Sequence, residues 1–95
     1  MSNGVATVAV EGELEFGSAL EFRTRMTEVI TDPATRRIDV DFGGTTYLDS
    51  SGLGVLLTSR DLARKNNKEV VLTQCRGSVR GVLNVARFDR LFSIT

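Results

Sequence analysis

The period of hydrophobic and polar positions changes several times along this 95-residue chain, and each change marks an element. Residues 5–10 are valine-rich and loosely alternating, which predicts a strand. A turn segment, Gly12-Glu13-Leu14-Glu15-Phe16-Gly17, follows. Ala19, Phe22, Met26, Val29 and Ile30 then recur at i, i+3, i+7, i+10 and i+11, which is helical spacing. Ser18 stands where the N-cap belongs, and Glu21 three residues on completes a capping-box pattern. Asp32-Pro33 ends the run, because a residue before proline disfavours helical geometry. Residues 37–42 alternate strictly, with Ile38, Val40 and Phe42 on one face and Arg37, Asp39 and Asp41 on the other. That period of two means a strand with one buried and one wet face.

The loop Gly43-Gly44-Thr45-Thr46 leads into a helical run over about residues 50–65, with Leu53, Leu56, Leu57 and Ala63 as its apolar contacts. Asn66-Asn67-Lys68 reads as a turn, since Asn tolerates the left-handed geometry that ends helices. Residues 69–75 predict a third strand. Ser78 is placed to cap a short helix whose stripe is Val79, Val82, Leu83 and Ala86. Phe88, Leu91 and Phe92 are apolar anchors, and residues 92–95 predict a fourth strand. Strands and helices alternate throughout, which implies parallel strands joined by right-handed crossovers. The wet face of residues 37–42 argues against helices on both sides. The expectation is an α/β fold with a mostly parallel sheet of about four strands and helices mainly on one face.

The stretch Tyr47-Leu48-Asp49-Ser50-Ser51-Gly52-Leu53-Gly54 carries the candidate chemistry. Asp49, Ser50 and Ser51 fall where a helix begins, and side-chain oxygens there cap unpaired N–H groups. A cap is the plain reading of these three residues. A hydroxyl at this point is also suited to modification, because a phosphate would meet the positive helix end and its N–H groups. Gly52 and Gly54 weaken the first turn, and close approach of another backbone or surface is a physical reason for them.

D-S-S-G-L-G preceded by Tyr47-Leu48 resembles the phosphorylation segment of STAS-domain anti-sigma factor antagonists, small bacterial proteins of partner-switching pathways. Gly12-Glu13-Leu14 resembles a second motif of that family, and Arg90-Leu91-Phe92 resembles the segment before its last strand. The resemblance spans nearly the whole chain, as one STAS-like domain over residues 1–95. It implies a βα superhelix with strands in sequential order, in a family that usually adds a strand before the first one here and a helix after the last. It implies that Ser50 is the phosphate acceptor, Asp49 the preceding acid, and Ser51 a neighbour that helps cap the helix. It places the partner surface on Glu15, Asp49, Ser50, Ser51, Gly52, Leu53 and Gly54, with Glu15 standing where the family usually has aspartate. The implied partners are an anti-sigma factor or serine kinase of the histidine-kinase-like ATPase type, bound by the unphosphorylated protein, and a serine phosphatase that resets the switch. Two other roles remain open: a STAS subunit of a membrane transport system, and a constitutive interaction module.

Composition removes most enzyme classes. There is no histidine for a hydrolytic triad, and Leu48 and Ser51 occupy the glycine positions of a G-x-S-x-G elbow. Lys65 and Lys68, the bases available for a Ser-Lys dyad, fall at the far end of the helix. The Gly43–Thr46 loop lacks the lysine of a P-loop. One cysteine without histidine does not make a zinc site, and Asp39 and Asp41 have no calcium loop after them. No catalytic group, metal or cofactor is expected. Cys75 reads as a small buried hydrophobe. No apolar run reaches the ~18 residues of a membrane span and the first residues lack signal-peptide blocks, so no membrane contact and a cytoplasmic setting are expected. Net charge is zero, but residues 1–50 carry a balance of −5 (4 Arg, 9 acids) and residues 51–95 one of +5 (8 Lys and Arg, 3 acids). The basic residues are spread over helices and loops without interleaved aromatics, which does not favour nucleic acid. No heptad or broad exposed apolar stripe is evident, so a monomer or weak dimer is expected when the protein is free.

Overall fold

The structure is a computed structural model and describes residues 3–95. In chain order its elements are β1 (Val5–Ala9), β2 (Gly12–Leu14), α1 (Ala19–Ile30), β3 (Arg37–Asp41), β4 (Thr45–Leu48), α2 (Ser50–Lys65), β5 (Glu69–Thr73), α3 (Gly77–Val85), a 3-10 turn (Phe88–Arg90) and β6 (Ser93–Ile94).

The four predicted strands form one sheet in the order β1-β3-β5-β6, with every pair parallel. Its register aligns Ala6, Ile38 and Val70 in one row and Val8, Val40 and Leu72 in the next. Both rows are buried, and all of their residues but Ala6 meet Phe22, Met26 and Ile30 of α1 and Leu56 and Ala63 of α2 in one core. Burying each of the larger of these side chains, the valines, leucines, isoleucines, Phe22 and Met26, stabilises the fold by about 1.5–3 kcal/mol. The intervening rows, Val5–Arg37–Glu69 and Thr7–Asp39–Val71, are half-buried or exposed. Arg37 Nε meets Asp39 Oδ1 at 2.9 Å on that wet face. The strict alternation of β3 thus has the expected outcome, an α/β fold with helices on one face of a parallel sheet.

Several local expectations are corrected. The turn Gly12–Gly17 and the loop Gly43–Thr46 contribute β2 and β4, which pair in parallel as a separate two-stranded sheet. Glu13 aligns with Tyr47 and Leu14 with Leu48, past an irregularity between Gly12 and Glu13. Strands of three and four residues are too short to display a period. Ser18 sits at the N-cap position of α1 but makes no side-chain cap bond. Its hydroxyl instead donates to the Glu13 carbonyl at 2.7 Å and accepts from Glu15 N–H at 3.1 Å, so it fastens the exit of β2. α3 starts one residue before Ser78, with Arg76 at the N-cap position and no side-chain cap. Of its predicted stripe Val79 and Leu83 are buried, whereas Ala86 is exposed. Phe88 and Phe92 are buried and stacked at 5.5 Å between ring centres, whereas Leu91 faces solvent.

Candidate partner-docking and phosphorylation site

The small β2–β4 sheet positions the start of α2. Leu48 ends β4 with its side chain buried, and the chain turns through Asp49 in an extended conformation. Asp49 Oδ1 accepts from Gly52 N–H at 3.0 Å, and its carbonyl accepts from Leu53 N–H at 3.0 Å. Asp49 N–H donates to the Leu14 carbonyl at 3.3 Å, which ties the turn to the end of β2. That same carbonyl explains Gly52. A Cβ there would lie 2.5 Å from Leu14 O and 2.6 Å from Leu48 Cδ1. Close backbone approach, one reason for a glycine in the first turn, holds at Gly52. It does not hold at Gly54, where a Cβ would meet open space.

The cap is therefore supplied by Asp49 alone. Ser51 is half-buried and contributes no cap bond, contrary to the expected helper role. Ser50, the first residue of α2, is exposed. Since Asp49 holds the helix start, the Ser50 hydroxyl is not needed for it. A phosphoryl group on Ser50 would sit at the positive end of a 16-residue helix, near first-turn N–H groups that Asp49 does not use. Asp49 Oδ1 is engaged by the helix backbone.

Glu15 follows directly on Leu14, so the β2–α2 junction brings its segment alongside Asp49 and Gly52. Its carbonyl accepts from Ser18 and Ala19 N–H at 3.1 and 2.9 Å, which fixes the turn into α1. Leu53 and Gly54 point to different sides of α2. Gly54 lines a shallow groove against Leu20 and Arg23 of α1, and Leu53 lines an apolar groove against Gly81 and Val85 of α3. Phe16, Leu20 and Val85 are 84%, 74% and 87% exposed, and Tyr47 is half-exposed. The exposure of Leu20 and Val85 was not anticipated from the sequence. Their signal was present: Leu20 and Val85 are apolar positions that fall outside the core stripes of their helices.

Cys75 is buried, and burial pushes its thiol up to about 11, against the lowering effect of Arg80 and with a further raising effect from Asp41. Such a thiol is poorly reactive near neutral pH. Among the described residues no helix is long and apolar enough to cross a membrane.

The STAS domain family profile matches residues 1–95. A STAS-domain containing protein of Pseudomonas aeruginosa is 39% identical over 89 residues, covering 94% of this chain and 86% of that protein. A Bordetella bronchiseptica protein provisionally named anti-sigma factor antagonist BtrV is 25% identical, covering 97% of this chain and 78% of its own. Among solved structures, the unphosphorylated anti-sigma factor antagonist SpoIIAA superposes with a TM-score of 0.76 at 19% identity, over 100% of this chain and 82% of that one. The STAS domain of the Vibrio cholerae SulP transporter superposes equally well, with a TM-score of 0.76 at 18% identity over 98% and 71% of the two chains. At these identities the superpositions show a shared fold, one that serves both anti-sigma factor antagonists and transporter domains. With the family profile spanning residues 1–95 and a relative 39% identical over most of its length, the chain belongs to the STAS-domain family.

Proposed function

We propose that residues 1–95 act as one STAS unit in a bacterial partner switch, controlled by phosphorylation of Ser50. The unphosphorylated protein binds an anti-sigma factor or serine kinase of the histidine-kinase-like ATPase type and releases that protein's target. The kinase transfers phosphate to Ser50, binding ends, and a serine phosphatase restores the first state. The chain itself contributes no catalytic group and acts in the cytoplasm, as a monomer when free. One observation carries this reading: Ser50 is exposed at the first residue of α2 while Asp49 alone caps the helix. The hydroxyl can be modified without dismantling the helix start. A phosphate added there changes the charge at the start of a helix whose first turns line grooves with Leu20 on one side and Val85 on the other. An anti-sigma factor antagonist of the same fold has been solved in a phosphorylated form, which supports the reading.

The test is affinity capture from the source cells, followed by titration of the captured partner with unmodified and phosphorylated protein. Recovery of an ATPase of the kinase type, bound by the unmodified form and released from the phosphorylated one, is the expected result. Recovery of transporter subunits would favour the transport role. Equal affinity of the two forms for a recovered kinase would favour a constitutive module.

A further inference from the structure

Much of the positive charge of residues 51–95 lies away from the switch, and the fold gathers part of it at one place. Arg60 and Arg64, four residues apart on one face of α2, meet Arg90 of the 3-10 turn and Lys68 around a cavity of about 450 Å³. From Ser50 to Arg64 the helix rises about 21 Å, at 1.5 Å per residue, so the cavity lies at the opposite end of α2 from the switch.

The charges in this cavity are not neutralised by the fold. Lys68 Nζ is taken up by the carbonyls of Ile30 and Asp32, closing the end of α1. Asp89 is paired with Arg87 at 3.6 Å. Among the described residues Arg60, Arg64 and Arg90 make no ion pair, and Glu69 is the remaining acid on the wall. Four cations on the wall, Arg60, Arg64, Lys68 and Arg90, against two carboxylates, Glu69 and Asp89, leave a local charge of +2. Arg60 is also held in place, because its Nε donates to the Leu91 carbonyl at 2.8 Å. Both terminal nitrogens of its fork are left for a ligand, and a side chain already fixed costs less to bind.

We propose that this cavity binds a small phosphate monoester. Near neutral pH a monoester carries a charge of −1.5 to −2, which matches the local +2. Guanidinium forks fit phosphate oxygens in paired hydrogen bonds. The volume falls in the range of small-molecule sites. A nucleic-acid backbone would call for a basic stripe with exposed aromatics, whereas these arginines line one concavity and its aromatic, Phe92, is buried.

The experiment is an NMR titration of the isotope-labelled full chain with glycerol 3-phosphate at pH 7.5 and constant ionic strength. Saturable shifts at Arg60, Arg64 and residues 89–93 are expected. Arg64→Gln and Arg90→Gln, both at exposed positions, should each weaken binding about tenfold, the scale of one lost charged hydrogen bond. Arg76→Gln, exposed and outside the cavity, should leave affinity unchanged. Ser50→Ala should bind as the natural chain does, so this site stands or falls independently of the switch. Shifts that grow linearly without saturating, or that survive Arg64→Gln and Arg90→Gln undiminished, would overturn the proposal. So would a silent response to glycerol 3-phosphate while a polyglutamate peptide or a single-stranded oligonucleotide shifts the same residues.

Discussion

Gly52→Ala isolates the junction on which the site is built. In an ordinary helix the change would gain up to about 1 kcal/mol. At this position the new Cβ would lie 2.5 Å from the Leu14 carbonyl oxygen, 2.6 Å from Leu48 Cδ1 and 3.2 Å from Leu14 Cγ. The first contact is with backbone inside the β2–β4 pair, and both leucines are buried, so no flexible side-chain end can swing aside. Relief requires α2 to move off β2, which loosens the Asp49 N–H to Leu14 bond, a loss of about 0.5–1.5 kcal/mol. Overpacking adds about 1–3 kcal/mol. After the helical gain is subtracted, the net destabilisation is about 1–3 kcal/mol, a fall in Tm on the order of 10 °C for a domain of this size. Gly54→Ala is the matched control: two residues on, its Cβ would meet open space, so it should stabilise by up to about 1 kcal/mol. Urea unfolding followed by far-UV circular dichroism compares the three proteins. A Gly52→Ala protein as stable as the natural chain, or a Gly54→Ala protein destabilised to the same degree, would refute the packing argument.

Phe22→Ala removes a buried ring from the α1 stripe and should cost about 3–5 kcal/mol in the same unfolding assay, a large part of the stability of a small domain. Ser50→Asp should leave stability nearly unchanged, because a carboxylate suits a helix start. It should weaken partner binding at least tenfold in a calorimetric titration, since a second charge beside Asp49 enters the proposed docking surface. Cys75, with its thiol raised from 9.0 to about 11, should react with a thiol reagent far more slowly at pH 8 in the native protein than in urea. The folded state holds that proton more tightly than the unfolded chain. Its contribution to stability is therefore fully present below about pH 9 and is lost as pH rises toward 11, a slope that Cys75→Ala should remove.

The elements that carry the core were legible because their periods are long. β3 alternates over its whole length, α1 repeats its stripe over three turns, and α2 has the bounds its cap and terminal asparagines imply. What was hidden depends on contacts between distant segments. β2 and β4 are short and find each other only across α1 and β3, so their sequence reads as turn. Ser18 looked like a cap by spacing, yet the Glu13 carbonyl and Glu15 N–H compete for its hydroxyl and hold it. At the site, the D-S-S-G string located the helix start. Only the structure separates the roles, with Asp49 as the cap, Gly52 as the close-packed residue, and Ser50 on the surface. The clustering of Arg60, Arg64 and Arg90 was visible in the sequence only as a charge imbalance between halves, because Arg90 reaches the other two through the tertiary fold.

The central claim is that Ser50 is the switched residue, and fragment mass spectrometry of the protein isolated from growing and stressed source cells tests it most directly. Phosphate is expected on Ser50 and absent from Ser51, in a fraction that changes between the two conditions. Phosphate on Ser51 in place of Ser50, or an unmodified Ser50 in both conditions, would contradict it.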